Sequence, residues 1–519
     1  MNTRSNSRRF GRHVRQHKLW AMVTILATAL AALGVQDGEP TIASTDGLRE
    51  ISYYPRYHAW LKFWPEWEET RVEMDADLDR IRELGANTVR IFVHPDEFNY
   101  PNPPTEAQRE RFEEALGLIA QRDLRAHVNL FDCWWRWDEI EASRAWMEAF
   151  VTPYAGDTRI ALWELQNEVD LENPVVRTWV GALLPELRLY GASTPCTVSL
   201  LDVEQLDDLE ALAAPDLYSL HWYPSSDVTW TSTLVPTLQR AVALVGADKL
   251  LLGEFGYDSH RVSEAVQAAL YRDVLYAARQ QGIAHVGQWT LNDFPAGTAQ
   301  CDPGTPATEP ELHFGVYRLD GTAKPARETL YRVYHGRPPA SPSPPRVYNG
   351  SFEESGPPCG AADWYPWDPT WTGECAFARD CSVAHTGSCS ARFDEMPDRT
   401  VGTYNVPALP VEGGARYSLE GYARAEGLEG EAWIALSCFD AEENWLGDVR
   451  SASLTGAHGT GWTRLRIDPA MLPAAAVLPG EAVYCQVYAQ FYSSNPDTVV
   501  WFDDLTTMVE RGYLPVVMR

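Results

Sequence analysis

The chain has 519 residues, enough to bury more than one core, and its 45% hydrophobic and 22% charged content excludes disorder and collagen-like repeats. A formal charge of −29 repels phosphate backbones and argues against nucleic acid as a partner. The same chain carries 20 Trp, 23 Tyr and 16 Phe, rings that suit neutral ligands with flat apolar faces, of which sugars are the obvious class.

In chain order, residues 1–40 come first. Arg4, Arg8, Arg9, Arg12, Arg15 and Lys18 precede an uncharged stretch from Leu19 to Val35, and the first acid is Asp37. A basic start, an apolar middle and small residues such as Ala29 and Ala31 predict an export signal and a secreted protein. An uncleaved N-terminal anchor is the alternative, because the apolar run sits at the lower limit for spanning a bilayer. No other membrane partner is expected.

Residues 45–336 alternate short apolar runs with amphipathic ones. The strands expected are Ile51–Tyr54, Thr88–Val93, Arg125–Leu130, Ile160–Leu165, Cys196–Leu200, Leu217–His221, Leu250–Phe255 and Ala284–Thr290. Helical spacing separates them, as in Met74, Leu78, Ile81 and Leu84, or in Phe112, Ala115, Leu116 and Ile119. The last helix expected is Pro325–Tyr334. Eight alternating units predict an α/β fold, a closed (β/α)8 TIM barrel. An open doubly wound sheet would need a glycine-rich phosphate turn after the first strand, and none is there.

Residues 337–345, RPPASPSPP, hold five prolines and read as an extended linker. From 346 to 510 the runs Arg416–Ala423, Ala432–Cys438, Thr463–Ile467, Ala482–Phe491 and Thr498–Leu505 predict an all-β sandwich. A tail, 511–519, has no assigned role. Of nine cysteines, six lie in the sandwich and can all pair. Cys133, Cys196 and Cys301 remain, so at least one thiol is left over. There is no CxxC pair and no HExxH, so neither metal nor cofactor is expected.

Barrels of this kind carry their chemistry at the C-terminal ends of the strands. There the sequence offers Arg90 on strand two, Asn167 and Glu168 after strand four, His221 and Tyr223 after strand six, Glu254 on strand seven and Trp289 on strand eight. Two carboxylates across one mouth suit glycosidic cleavage. One hands a proton to the leaving oxygen while the other attacks the anomeric carbon or stabilises its positive charge. Trp60, Trp64, Trp67, Trp134, Trp135, Trp137, Trp222 and Trp230 lie in the loops beyond the strands. They suggest several sugar subsites, with Trp134 and Trp135 as candidate substrate contacts.

These residues, with the Gly253–Gly256 GEFG and the closing segment His313–Leu330, resemble glycoside hydrolase family 5, the cellulase and mannanase group of retaining (β/α)8 hydrolases. The resemblance implies Glu168 as acid/base, Glu254 as nucleophile, and Arg90, Asn167, His221, Tyr223 and Trp289 around the reacting sugar. One departure is at strand three, where the family commonly has a histidine facing the site. Here His127 lies upstream, inside the barrel wall, and Asn129 or Asp132 faces the site instead. The expected substrate is a β-linked polysaccharide or oligosaccharide, a β-glucan or β-mannan. The alternatives are a non-catalytic glycan-binding adhesion protein and a transglycosylase. The sandwich ends, VYNGSFEE and VVWFDDLTTMV, resemble carbohydrate-binding jelly rolls. Trp364, Tyr365, Trp367 and Trp371 are the candidate sugar platform, with Asp503 and Asp504 as candidate calcium ligands.

Overall fold

The computed structural model describes residues 47–224, 230–342, 346–367, 375–394, 399–411, 417–440, 443–456, 461–467 and 482–509. The N-terminal segment 1–40, linker positions 343–345, Trp371 and the tail 511–519 lie outside them. Among the described residues no helix is long and apolar enough to cross a membrane.

Eight parallel strands form the barrel: β1 Arg49–Ser52, β2 Thr88–Phe92, β3 Arg125–Asn129, β4 Ile160–Glu164, β5 Cys196–Leu200, β6 Tyr218–Trp222, β7 Leu250–Phe255 and β8 His285–Gln288. β5 is broken at Val198. Its first half, Cys196–Thr197, pairs with β4 and its second, Ser199–Leu200, with β6, while β1 pairs with β8. The sheet therefore closes on itself. The helices between strands are α1 Trp67–Glu83, α2 Glu106–Ala120, α3 Ile140–Val151, α4 Pro174–Tyr190, α5 Gln205–Ala213, α6 Trp230–Val245, α7 Glu264–Gln280 and α8 Pro325–Tyr334.

Local chemistry explains the boundaries. Thr105 and Gln108 form a reciprocal capping box that starts α2. Asn173 caps α4, with Pro174 in the first turn where its missing N–H costs nothing. Gly85, at φ +87°, ends the chain's first helix in a conformation that side chains disfavour. α1 begins at Trp67, where Trp67 and Thr70 continue the buried stripe of Met74, Leu78 and Ile81 toward the N-terminus.

The second region packs two antiparallel sheets. One follows the order Trp364–Trp367, Thr400–Asn405, Tyr484–Ser493, Gly430–Phe439, Trp445–Arg450; the other runs Ala378–Asp380, Ser390–Asp394, Val499–Val509, Tyr417–Glu426, Thr463–Ile467. Phe393, Leu419, Ile434, Val487 and Phe502 fill the space between them. The six sandwich cysteines all pair, as 359–375, 381–389 and 438–485. Cys133 pairs with Cys301, leaving Cys196 as the buried free thiol.

The sandwich docks directly on the barrel. Asp363 Oδ1 accepts from the Ser263 backbone N–H at 2.6 Å, and Tyr365 donates to the Arg261 carbonyl at 3.0 Å. Tyr348 and Val406 belong to the buried cluster that includes the barrel.

Candidate active site

The cleft at the C-terminal end of the strands has a volume of about 280 Å³ and is lined by Asn167, Glu168, Tyr223, Glu254 and Trp289, together with Trp60, Asp132 and Glu311. The fold thus brings both sequence-predicted carboxylates to one cavity. One oxygen of Glu168 and one of Glu254 lie within 4.8 Å of each other, with His221 between them. His221 Nδ1 is hydrogen-bonded to Glu168 Oε1 at 2.9 Å and sits 3.5 Å from Glu254 Oε2.

Glu254 lies one residue before the end of the buried strand β7 and is almost fully enclosed. Arg90 Nη1 donates to its Oε1, and Tyr223 Oη donates to its Oε2 at 2.6 Å. Burial pushes the Glu254 carboxyl above its usual range; His221 and Arg90 oppose the rise and Glu168 adds to it. Glu168 is on a loop and more open, with its side chain 29% exposed. Its φ is +52°, a strained conformation for glutamate, and its backbone N–H is held by Ser199 Oγ at 2.9 Å. Such strain is characteristic of functional positions. The arrangement sets an enclosed carboxyl, whose ionised form Arg90 and His221 favour against the cost of burial, beside a partly solvated one.

Arg90 also fixes Asn167. Its Nη2 donates to Asn167 Oδ1 at 2.7 Å, which leaves the amide's own N–H groups free to donate into the cleft. Arg90 and His221 do not line the cavity; they act from behind it by bonding the carboxylates. Trp289 does line it, and its Nε1 donates to Glu311 Oε1 at 3.0 Å. Glu311, unforeseen from sequence, is buried enough to raise its carboxyl to about 8, with Glu254 adding to the shift.

Behind the site the barrel interior is a charged network. Arg90 Nε donates to Glu164 Oε2 at 2.7 Å, and His127 bonds Glu50 at 2.7 Å and approaches Glu164 at 3.2 Å. Burial alone would raise Glu164 and lower His127. Instead Arg90 and His127 hold Glu164 well below its usual range, while Glu50 and Glu164 raise His127 to about 9. His127 therefore stays inside the wall. Of the two replacements considered, Asp132 faces the cleft, held by Tyr54 at 2.9 Å and His94 at 3.1 Å. Asn129 is fully buried and does not line it.

The expected row of aromatic subsites is not there. Trp134 is buried against Tyr100 and Phe131, under the Arg136 guanidinium. Trp64, Trp67, Trp222 and Trp230 are also buried, Trp137 packs on Trp179, and Trp135 is 59% exposed. Of the eight, only Trp60 lines the cleft. Composition counts rings but does not say which face of a loop they occupy. Two of the sandwich platform's rings are committed elsewhere: Trp364 fills the core against Phe352, and Tyr365 docks on the barrel, whereas Trp367 is half-buried and packs edge-on to Tyr488. Nor are Asp503 and Asp504 free for calcium, because His385 and Thr386 donate to both.

Residues 45–295 match the model of the family described as Cellulase (glycosyl hydrolase family 5). The barrel belongs to that family. Residues 45–295 are thus a family 5 glycoside hydrolase domain. Among solved structures, the chain is similar to an exo-β-1,4-mannosidase from Opitutaceae bacterium strain TAV5, at 22% identity and TM-score 0.46. The match covers 55% of this chain and 58% of that one. It is also similar to a GH5_18 protein from Streptomyces cattleya in complex with GlcNAc, at 16% identity and TM-score 0.47, covering 58% and 83%. A GH5_18 variant from Bifidobacterium longum subsp. longum in complex with Manβ1-4GlcNAc matches at 17% and 0.44, covering 58% and 81%. No curated protein sequence matches this chain.

Proposed function

We propose that the protein is a secreted retaining β-glycosidase that acts by double displacement on a short β-linked glucan or mannan, or on a chain end. The observation that carries this reading is the approach of Glu168 and Glu254 to within 4.8 Å. Retaining enzymes hold their carboxyl groups ~5–5.5 Å apart, whereas inverting ones leave ~6.5–9.5 Å for a water. In this scheme Glu168 protonates the glycosidic oxygen while Glu254 attacks the anomeric carbon and forms an ester. Arg90 and Tyr223 stabilise the Glu254 anion before attack. Asn167 donates to the sugar hydroxyl beside the reacting carbon, and Trp289 supports the ring's flat face. Glu168, now a carboxylate, takes a proton from water, which cleaves the ester with retention of configuration.

The cleft volume, about 280 Å³, is near the lower end for small-molecule sites and supports a short occupant over a long bound chain. The sandwich could assist as a glycan-binding module through Trp367, Tyr404, Tyr488 and Tyr492, which cluster with Trp433 on one sheet. Export is supported by the four disulfides, which belong to an oxidising compartment.

The test is product release from β-glucan and β-mannan oligosaccharides of increasing length, with the anomer of the first product followed by NMR. Glu168→Gln and Glu254→Gln are run alongside. Retention, a preference for short substrates and a loss of roughly 10²–10⁴-fold in each variant are expected. Inverted product, or binding without turnover by the wild type, overturns the reading; the second result favours a glycan-binding adhesion role. A product longer than the substrate points to transglycosylation.

A further inference from the structure

The loops after β7 and β8 bring together three metal-ligand side chains that lie outside the catalytic pair. They are His260, Glu309 and His313. One ligand atom from each lies within 4.8 Å of the others. The two imidazole rings face each other at 5.3 Å between centroids, tilted by only 20°, and the Glu309 carboxylate is 3.8 Å from His313 Nε2. On its other side His313 presents Nδ1 to Asp293 Oδ2 at 3.9 Å. A carboxylate beside an imidazole's second nitrogen is the partner that orients such ligands in metal sites, and Asp293 reaches that role by closing from 3.9 Å to hydrogen-bond distance.

The backbone beneath this cluster is firmly placed. The Ser259 N–H donates to the His313 carbonyl at 3.1 Å, and Lys324 Nζ donates to the same carbonyl at 3.1 Å and to Asp293 at 2.7 Å. Arg261 bonds the buried Asp258 carboxylate through three N–H groups. The side chains above are freer, with His313 35% and Glu309 57% exposed. Bond lengths of ~2.0–2.2 Å require the ligand atoms to close in by roughly 1 Å and the stacked imidazoles to turn so that their in-plane lone pairs converge, a rotamer change that side chains this exposed can make. Two imidazoles and one carboxylate are the donor set of a divalent transition metal, with a fourth position left for water.

We infer that His260, Glu309 and His313 bind one divalent transition ion of the zinc type, and that the ion fastens the turn holding Glu311 against the cleft. Glu309 immediately precedes, and His313 ends, the short helical turn Pro310–His313 that carries Glu311, whereas His260 is on the loop after β7. The ion therefore ties the wall of the sugar pocket to the strand that carries Glu254. The inference does not rest on which sugar is cleaved or on how. The other His-containing clusters among the described residues are committed elsewhere: Cys133 of one is in a disulfide, and Glu168, His221 and Glu254 are the catalytic group.

The test uses tag-free protein stripped with EDTA and titrated with zinc by calorimetry, with cobalt absorption as a second probe. One equivalent is expected to bind and to raise the unfolding midpoint. His260→Gln and His313→Gln should each weaken binding about 10–100-fold and abolish the rise in midpoint. Their midpoints in EDTA should match wild type, which separates lost ligation from misfolding. No zinc binding by wild type, or equal binding by the double variant, overturns the site. Binding that disappears in Glu168→Gln instead puts the ion in the catalytic cleft and overturns it too. Binding with no change in midpoint overturns the fastening role.

Discussion

The barrel and the sandwich solve the problem of a stable interior in opposite ways. The barrel encloses Glu50, Arg90, His127, Glu164 and Glu254, five ionisable groups that are each nearly or fully buried. The sandwich fills its interior with residues such as Leu419, Ile434, Val487 and Phe502 and adds three disulfides. An apolar interior is the cheaper choice, since burying charge costs more than pairing returns unless every partner is in place. The barrel's network ends at Glu254 in the cleft, where its charges hold the carboxylate that the proposed mechanism uses. The sandwich has no such obligation.

The comparison is broken most severely by removing one member of the network. His127→Gln should cost about 3–5 kcal/mol in urea unfolding, because Glu50 and Glu164 lose the cation between them. The sign with pH follows from the direction of the shift. Folded His127 titrates at about 9, above its unfolded value of about 6.5, so its contribution is complete below pH 6.5 and is lost as pH rises through 9. Wild type should lose up to about 3 kcal/mol across that window relative to the variant. Parallel stability curves for the two proteins between pH 6 and 10 would show that His127 is neutral when buried.

Disulfides sharpen the same contrast. Cys438–Cys485 links two directly paired sandwich strands, whereas Cys133–Cys301 ties the loop after β3 to a loop in which Cys301 lines the cleft. The Cys438→Ser/Cys485→Ser variant should lose about 2–4 kcal/mol of stability and keep its KM. The Cys133→Ser/Cys301→Ser variant should raise KM, since a wall of the sugar pocket is freed. Equal KM values in both variants would mean that the cleft wall holds without its tether.

The strands and the two carboxylates that line the cleft could be read from the chain because both follow local rules. LLLGEF is an apolar run of strand length, and the structure's β7 spans that run, Leu250–Phe255. Glu168 and Glu254 follow from the rule that barrels work at strand ends. What could not be read depends on distance. His127 and Glu50 are separated by 77 residues, and no spacing announces their bond. A signal was present in part: polar residues recur at alternate positions in RAHVN of β3, marking an inward face that is not apolar. Glu311 carries no such signal, because its loop has no period and its burial comes from chain folding back over the mouth. The tryptophans misled for a related reason, since a ring's exposure is decided by neighbours that are remote in sequence.

A last effect concerns the seam where the two regions meet. Asp363, from the sandwich, accepts from the Ser263 N–H that begins α7 of the barrel, and burial raises its carboxyl to about 7. An unfolded aspartate titrates near 3.9, so the folded state prefers the proton throughout the interval between. The Asp363 contribution to stability is therefore greatest below pH 4, declines as pH rises toward 7 and is flat above. The slope is at most about 1.4 kcal/mol per pH unit. Asp363→Asn keeps an oxygen for Ser263 and removes the titration, so the variant should gain on wild type steadily from pH 4 to 7. Because the bond joins the regions, the gain should appear in barrel and sandwich unfolding together when each is followed by its own probe. A gain confined to the sandwich signal would show that the two interiors melt independently and that the seam does not couple them.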